Sequence, residues 1–217
     1  MVQVEVWSDV ACPWCYIGKR RLQNAIAEFG APVEVQWRSF QLDETLPKGE
    51  AIPQAQMFME KRGFTAEKVV EVNERMSSVA AELGLDYDLD SYMVANTKDA
   101  HRLSHFATSR GVGDQMHEHL FQAQMMEGKI LDDADVLVAL GEDVGIAAAD
   151  TRAMLASDEF TADVDVDIAE AREVGVQGVP FFVFDRRFAV SGAQPQEVFA
   201  KALNAAREAA AEEVAAH

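Results

Sequence analysis

The stretch DVACPWCYIGKRR, residues 9 to 21, carries the two cysteines of the chain, Cys12 and Cys15. Before it, residues 2 to 7 alternate valine with polar or larger side chains, which predicts a β-strand. After it, small and apolar side chains recur at three- and four-residue steps over residues 13 to 29, which predicts a helix that Gly30 ends. The cysteines therefore stand where a strand leads into a helix.

This position makes the two thiols chemically unequal. Cys12 falls at the helix N-terminus, where unpaired backbone N–H groups and the helix dipole favour a thiolate, so it is the candidate nucleophile. Cys15 lies in register with Leu22 on the face expected to pack against the sheet, so it is the candidate resolving thiol. Between them, Pro13 fixes the turn and Trp14 places an aromatic ring beside the reactive sulfur.

A basic run follows the motif in an otherwise acidic chain. It consists of Lys19, Arg20 and Arg21. Two interpretations are open: Lys19 adds a weak positive field near Cys12, or the run is a solvated helix face.

Composition narrows the class of protein. The chain has 217 residues, 49% of them hydrophobic, which is enough for a substantial core. Its formal charge of −18 argues against nucleic acid as a partner, because binding phosphate backbones requires clustered lysines and arginines. The N-terminus lacks the pattern of a signal peptide, and no apolar run approaches the roughly 18 residues of a membrane-spanning helix. We therefore expect a cytoplasmic protein with no membrane partner, where a lone cysteine pair is more often catalytic or metal-binding than structural.

Strand patterns appear at both ends of the chain. Residues 33 to 42 alternate and predict a second strand, parallel to the first through a right-handed crossover. Residues 181 to 184 and 188 to 190 predict a hairpin, and a closing helix begins at Gln196.

The middle of the chain predicts helices without a convincing strand. One helix covers residues 65 to 84 with Thr65 as its N-cap. Others are predicted over residues 96 to 110, 114 to 127, 133 to 144 and 161 to 174. The predicted architecture is therefore α/β, with one domain at residues 1–46 and 176–217 and a helical insertion at residues 47–175.

The stretch GVQGVPFFVF, residues 175 to 184, places a proline directly before an apolar run. One interpretation is that Pro180 starts an edge strand. The other is a cis Val179–Pro180 bond, expected if this loop faces the cysteines. In that case the backbone N–H and C=O of Val179 would point toward an extended substrate segment.

These motifs together resemble a known superfamily. The CxxC at a strand-to-helix turn, the βαβ…ββα order and the GVP before the third strand resemble the thioredoxin-like superfamily, and the helical insertion resembles its DsbA branch. Over nearly the whole chain, DVACPWCYIGKRRL, WRSFQL, NTKDAHRL and VQGVPFFVFDRRFAVSGAQ resemble the FrnE-type DsbA-like family. That resemblance implies a thioredoxin-like fold interrupted by a helical domain, with the active site in the cleft between them.

The resemblance also implies an activity and a set of site residues. Cys12 and Cys15 would be the catalytic dithiol of a thiol–disulfide oxidoreductase, with Pro180 as the cis-proline. The residues that support the active site would be Pro13, Trp14 and Val179. The substrate-binding residues that line or support the cleft would be Asn96, His101, Arg102 and Gln194. The substrate would be a protein or small molecule carrying a disulfide or dithiol. No cofactor or metal is required, and glutathione or another small thiol is a candidate redox partner.

Several alternatives remain open. Kappa-class glutathione transferases and 2-hydroxychromene-2-carboxylate isomerases share the architecture, so a thiol-dependent transferase or isomerase acting on a small aromatic or polyketide-like substrate is one alternative. They generally carry serine at the position of Cys12, which favours dithiol chemistry here. A zinc-binding or non-catalytic module is another, because His101 and His105 lie one helical turn apart, although their distance from the cysteines is far greater than in the usual zinc finger. The apolar helix stripes fit either a monomer or a homodimer.

Overall fold

The computed structural model describes residues 1–215, with side chains through residue 213, and it divides into two compact units. The first unit combines Met1–Phe40 with the chain from Asp167 onward, and the second is Gln41–Val166. Residues 216 and 217, which fall in the predicted first domain, lie outside the described residues.

Strands and helices follow one another along the whole described chain. The strands are β1 (Val2–Ser8), β2 (Val33–Ser39), β3 (Ile52–Pro53), β4 (Met93–Val94), β5 (Phe181–Phe184) and β6 (Phe188–Ser191). The helices are α1 (Pro13–Phe29), α2 (Gln54–Arg62), α3 (Ala66–Ala81), α4 (Lys98–Ser109), α5 (Gly113–Met125), α6 (Ala134–Asp143), α7 (Ala148–Leu155), α8 (Thr161–Val174) and α9 (Gln196–Ala215).

The first unit is built on a four-stranded mixed sheet of order β2-β1-β5-β6. β1 and β2 are parallel, with Val2 opposite Val33 and Ser8 opposite Ser39, and α1 makes the crossover between them. β5 is antiparallel to β1 and forms a hairpin with β6. The predicted parallel strand pair and the predicted hairpin are therefore confirmed.

The two faces of this sheet pack against different helices. On one face, Val4 and Val6 join Phe182, Leu22 of α1 and Phe199 of α9 in a continuous apolar core. The period-2 alternation of β1 sends every second side chain to this face, which explains why α1 and the cysteines at its start are held firmly on the sheet.

On the other face, Trp7 packs with Ala171 of α8 and with Val183 of β5. The Trp7 indole donates to the backbone carbonyl of Asp167 at 3.0 Å, and the Asp167 carboxylate accepts from the backbone N–H of Ser39 at 2.8 Å. The second half of α8 therefore belongs to the sheet, and the units divide at residues 40/41 and 166/167 rather than at the predicted 46/47 and 175/176.

The second unit is mainly helical, as predicted. The Thr65 hydroxyl accepts from the backbone N–H of Lys68 at 3.2 Å, which confirms Thr65 as the N-cap of α3. The expectation of no strand in this region is wrong, because β3 and β4 pair over two residues each. Strands this short show no alternation in the sequence. Within the described residues, none of the helices has both the length and the apolar character needed to cross a bilayer.

Candidate active site

Cys12 stands at the start of α1, in the position predicted for it. It is the N-cap residue, with φ −100° and ψ 112°, and Pro13 begins the helix. Asp9 organises the loop before it: its carboxylate accepts from the backbone N–H of Ala11 at 3.1 Å, and its carbonyl accepts from the N–H of Cys12 at 2.9 Å. Sequence reasoning does not single out Asp9, although an aspartate that bonds its own backbone two residues on is a recurrent turn device.

Cys15 lies one helical turn further in and is more deeply enclosed. It is 1% exposed, against 6% for Cys12, and both are free thiols. Burial raises the pKa of the Cys15 thiol well above its ordinary value, and a hydrogen bond to Cys12 and the charge of Cys12 act in the same direction. Cys15 therefore stays protonated and serves as a donor to the sulfur of Cys12.

The loop before β5 lies against the cysteines. The Val179–Pro180 peptide bond is cis, as expected if this loop faces the cysteines. The Cys12 thiol donates to the Val179 carbonyl, with 3.7 Å between sulfur and oxygen. The carbonyl of Pro180 accepts from the backbone N–H of Gly192 at 2.8 Å, which ties the loop to the end of β6. The Cys12 sulfur therefore sits beside a backbone carbonyl of fixed position.

Gly18 of α1 allows this loop to approach the helix. A Cβ added at Gly18 would lie 2.9 Å from Cγ of Pro180 and 3.0 Å from Cζ of Phe182. Distances this short leave no room for a methyl group, so the absence of a side chain at Gly18 sets how closely Pro180 can pack beside the cysteines.

We expect Gly18→Ala to lower the free energy of unfolding by about 1–2 kcal/mol, because overpacking outweighs the gain in helix propensity. The variant should also slow disulfide exchange, since Pro180 must move. Urea unfolding and turnover measure the two effects. Gly178→Ala is the matched control: apart from Gly178 itself and its two chain neighbours, no residue of the described chain places an atom within 4 Å of the added Cβ. A stability gain in Gly18→Ala, as propensity alone would give, contradicts the steric argument.

The basic run after the motif is not a uniformly solvated face. Lys19 is fully buried, and its ammonium lies 5.1 Å from the centroid of the Trp37 ring. Arg20 and Arg21 are half-buried, and Arg21 donates to the Ala193 carbonyl at 2.6 Å. The interpretation of Lys19 as part of a solvated face is therefore wrong, because its aliphatic stem and charge both pack inside the first unit.

Three of the predicted substrate-binding residues lie in the second unit and make internal contacts. The Asn96 amide donates to the Leu46 carbonyl at 2.6 Å and accepts from the N–H of Lys98 at 2.8 Å. His101 is 1% exposed, and the Arg102 guanidinium donates to three carbonyls and to a carboxylate. Such contacts are typical of residues that hold helices together.

The remaining predicted residues lie in the first unit. Trp14 and Pro13 are half-buried at the start of α1, while Gln194 follows β6 and donates to the Ser191 carbonyl at 2.9 Å. The structure thus brings together Cys12, Cys15, Val179 and Pro180. The substrate-binding role of the other residues stays a prediction. No cluster of three or more metal-ligating side chains occurs within the described part of the chain.

Comparison with known proteins shows full-length similarity. The family model of the DSBA-like thioredoxin domain matches residues 3–204. The uncharacterized protein YwbO of Bacillus subtilis (strain 168) is 26% identical over 205 residues, covering 94% of this chain and 96% of that protein.

Solved structures show the same similarity. A probable DsbA oxidoreductase, SCO1869 from Streptomyces coelicolor, superposes with a TM-score of 0.93 at 38% identity, covering 96% of this chain and 91% of that one. A 2-hydroxychromene-2-carboxylate isomerase shares the fold at a TM-score of 0.72 and 16% identity, covering 97% of this chain and 98% of its own.

Proposed function

The chain belongs to the DSBA-like thioredoxin domain family of disulfide oxidoreductases, and from that premise we propose that Cys12 is the nucleophile and Cys15 the resolving thiol. The observation that carries this order is the asymmetry of the pair. Cys15 is enclosed as a thiol that donates to Cys12, while Cys12 caps the helix beside the Val179 carbonyl. A thiolate is stabilised by such a donor and by the helix N-terminus.

The proposed reaction is two successive exchanges. The Cys12 thiolate attacks one sulfur of a substrate disulfide, which forms a mixed disulfide and releases the first substrate thiolate. The Cys15 thiolate then attacks the Cys12 sulfur, the bond from Cys12 to the substrate breaks, and the second substrate thiolate leaves. The substrate gains two electrons and two protons, and the enzyme becomes the Cys12–Cys15 disulfide. The reverse sequence oxidises a substrate dithiol.

The Val179 loop gives the substrate a place to dock. In the free protein the Val179 carbonyl accepts from the Cys12 thiol. Cys12 loses that proton when it ionises, and in the mixed disulfide its sulfur has no proton to donate. The carbonyl is then available to a backbone N–H of the substrate, as in strand addition to a sheet edge. We therefore propose an extended segment around the substrate cysteine as the unit that is recognised.

The redox partner follows from the same proposal. The chemistry above uses sulfur atoms alone and calls for no cofactor, and we propose glutathione or another small thiol as the agent that resets the enzyme. The cytoplasmic location expected from the sequence stays a prediction, as does the choice between monomer and homodimer.

The test is the redox equilibrium of the intact chain with glutathione, coupled to reduction of insulin. We expect the Cys12–Cys15 pair to titrate as one two-electron couple, so that the ratio of reduced to oxidised protein changes tenfold for about every 30 mV change in the potential of the glutathione buffer. We also expect the reduced chain to accelerate insulin precipitation. Chain alkylated at both cysteines is the control and should be inactive.

The alternative functions give different results in the same experiment. A transferase or isomerase would bind glutathione saturably, form no Cys12–Cys15 disulfide and release a conjugated or isomerised product. A metal-binding module would contain stoichiometric zinc and would not reduce insulin. Either result would contradict the proposed dithiol mechanism.

A further inference from the structure

Ser8, the last residue of β1, carries a buried hydroxyl that makes no hydrogen bond within the described part of the chain. The residue is 1% exposed, and within the described part of the chain its Oγ has no hydrogen-bond partner. Its backbone is paired, since the Ser8 carbonyl accepts from the N–H of Phe40 at 3.0 Å. A buried donor left without an acceptor destabilises a fold, so such a group calls for an explanation.

The surroundings of Ser8 supply one. β1 leads directly into the loop of Cys12, and Cys15, which is itself 1% exposed, is the thiol on which the Ser8 hydroxyl acts. With Cys15 protonated, no hydrogen bond joins the two side chains, whereas donation from Ser8 to the ionised sulfur acts to lower the pKa of Cys15, against the effect of burial. A neutral thiol is a weak acceptor, whereas a thiolate is a strong one. Ser8 therefore gains a full partner when Cys15 ionises.

We propose that Ser8 is a positioning residue, whose hydroxyl is held in place to donate to the Cys15 thiolate during resolution of the mixed disulfide. This inference rests on the proposed function. In that step Cys15 loses its proton, its thiolate attacks the Cys12 sulfur, and the bond between Cys12 and the substrate sulfur breaks. The departing substrate thiolate takes up a proton in place of the one that Cys15 released. Ser8 transfers nothing and acts through the charge on Cys15.

This role predicts opposite effects of Ser8→Ala on stability and on rate. Removing an unpaired buried hydroxyl should raise the Tm of the reduced protein by a few degrees. Losing a hydrogen bond to a charged sulfur should slow resolution about tenfold and move its pH profile upward, because Cys15 then ionises at higher pH. A residue with a merely structural role would lower the Tm and slow every step alike.

The experiment separates the two exchanges in the full chain. Reduced protein is mixed with glutathione disulfide, quenched in acid at successive times, and weighed by mass spectrometry. Loss of reduced protein reports attack by Cys12, and conversion of the glutathionylated form into the internal disulfide reports resolution. The variants are Ser8→Ala, Ser8→Thr, which keeps a hydroxyl, and the matched control Ser39→Ala, the partner of Ser8 in the β1–β2 register.

The inference is supported if Ser8→Ala resolves the mixed disulfide more slowly while attack by Cys12 is unchanged and the Tm is raised. Ser39→Ala should resolve at the normal rate, and Ser8→Thr should restore resolution. Resolution at the unaltered rate in Ser8→Ala overturns the inference, as does a Tm that falls or a variant that does not fold. If the unaltered chain resolves its mixed disulfide normally, those results leave the proposed function intact. An unaltered chain that forms no mixed disulfide at Cys12 overturns the proposed function itself.

Discussion

Cys12→Ser is expected to reduce disulfide exchange to the uncatalysed rate, whereas Cys15→Ser is expected to accumulate mixed disulfides on Cys12. The first variant lacks the nucleophile, so no covalent intermediate forms. The second retains the nucleophile at the start of α1 but lacks the thiol that would displace the substrate. Insulin reduction measures the loss of turnover, and mass spectrometry after incubation with glutathione disulfide measures the trapped adduct.

The two variants are each other's matched control, because the same substitution is made three residues apart at the start of one helix. Urea unfolding should show that both fold. Their outcomes should differ in kind: no adduct with Cys12→Ser, and one glutathione per chain with Cys15→Ser. Turnover in Cys12→Ser, or an adduct that maps to Cys15, would reverse or exclude the proposed order of attack.

The deeper burial of Cys15 than of Cys12 was predictable from the sequence because it depends on local periodicity. The alternation of Val2, Val4 and Val6 determines which face of β1 is buried, and the three- and four-residue spacing after Pro13 places Cys15 on the buried face of α1. These patterns involve neighbours in the chain. The family resemblance added the cis form of Pro180, which the local residues alone left open.

Other features depend on contacts between distant parts of the chain. Lys19 is buried because Trp37 lies on the strand after its helix, a contact that charge patterning along α1 does not reveal. The second half of α8 joins the sheet because Asp167 meets Ser39 and Trp7. Ser8 becomes notable only when the enclosure of its hydroxyl is known. Each of these three features depends on tertiary packing, which the local pattern of a single sequence does not reveal.

Arg102→Met is expected to lower the free energy of unfolding of the second unit by about 3–5 kcal/mol, because it removes one member of a buried, hydrogen-bonded ion pair. The Arg102 side chain is 4% exposed. Its guanidinium donates to the carbonyls of Glu159 and Met154, each at 2.8 Å, to the Ser157 carbonyl, and to the Asp99 carboxylate at 2.8 Å. Methionine fills similar space but leaves these acceptors without their donor.

Part of the stability that Arg102→Met removes is electrostatic, because Arg102 pairs with the Asp99 carboxylate. Burial alone would raise the pKa of its carboxyl, but hydrogen bonds from Lys48 and Arg102 outweigh burial and hold the pKa below its ordinary value. Without Arg102, the carboxylate keeps its ion pair with Lys48, whose side chain is 55% exposed. Because Asp99 would then bind a proton more readily, the variant should lose less stability on acidification than the unaltered chain does.

The measurement is urea unfolding together with the KM for a disulfide substrate. Arg152→Met is the matched control, because Arg152 pairs with Asp135 at 2.8 Å on the surface of the same unit, with side chains 58% and 82% exposed. That change should lower the free energy of unfolding by no more than about 1 kcal/mol. If Arg102 binds substrate, as the family resemblance implies, Arg102→Met should instead raise KM while the unfolding midpoint stays near that of the control. The four internal hydrogen bonds of Arg102 favour the structural outcome, since a guanidinium committed to three carbonyls and a carboxylate has little remaining capacity for a substrate.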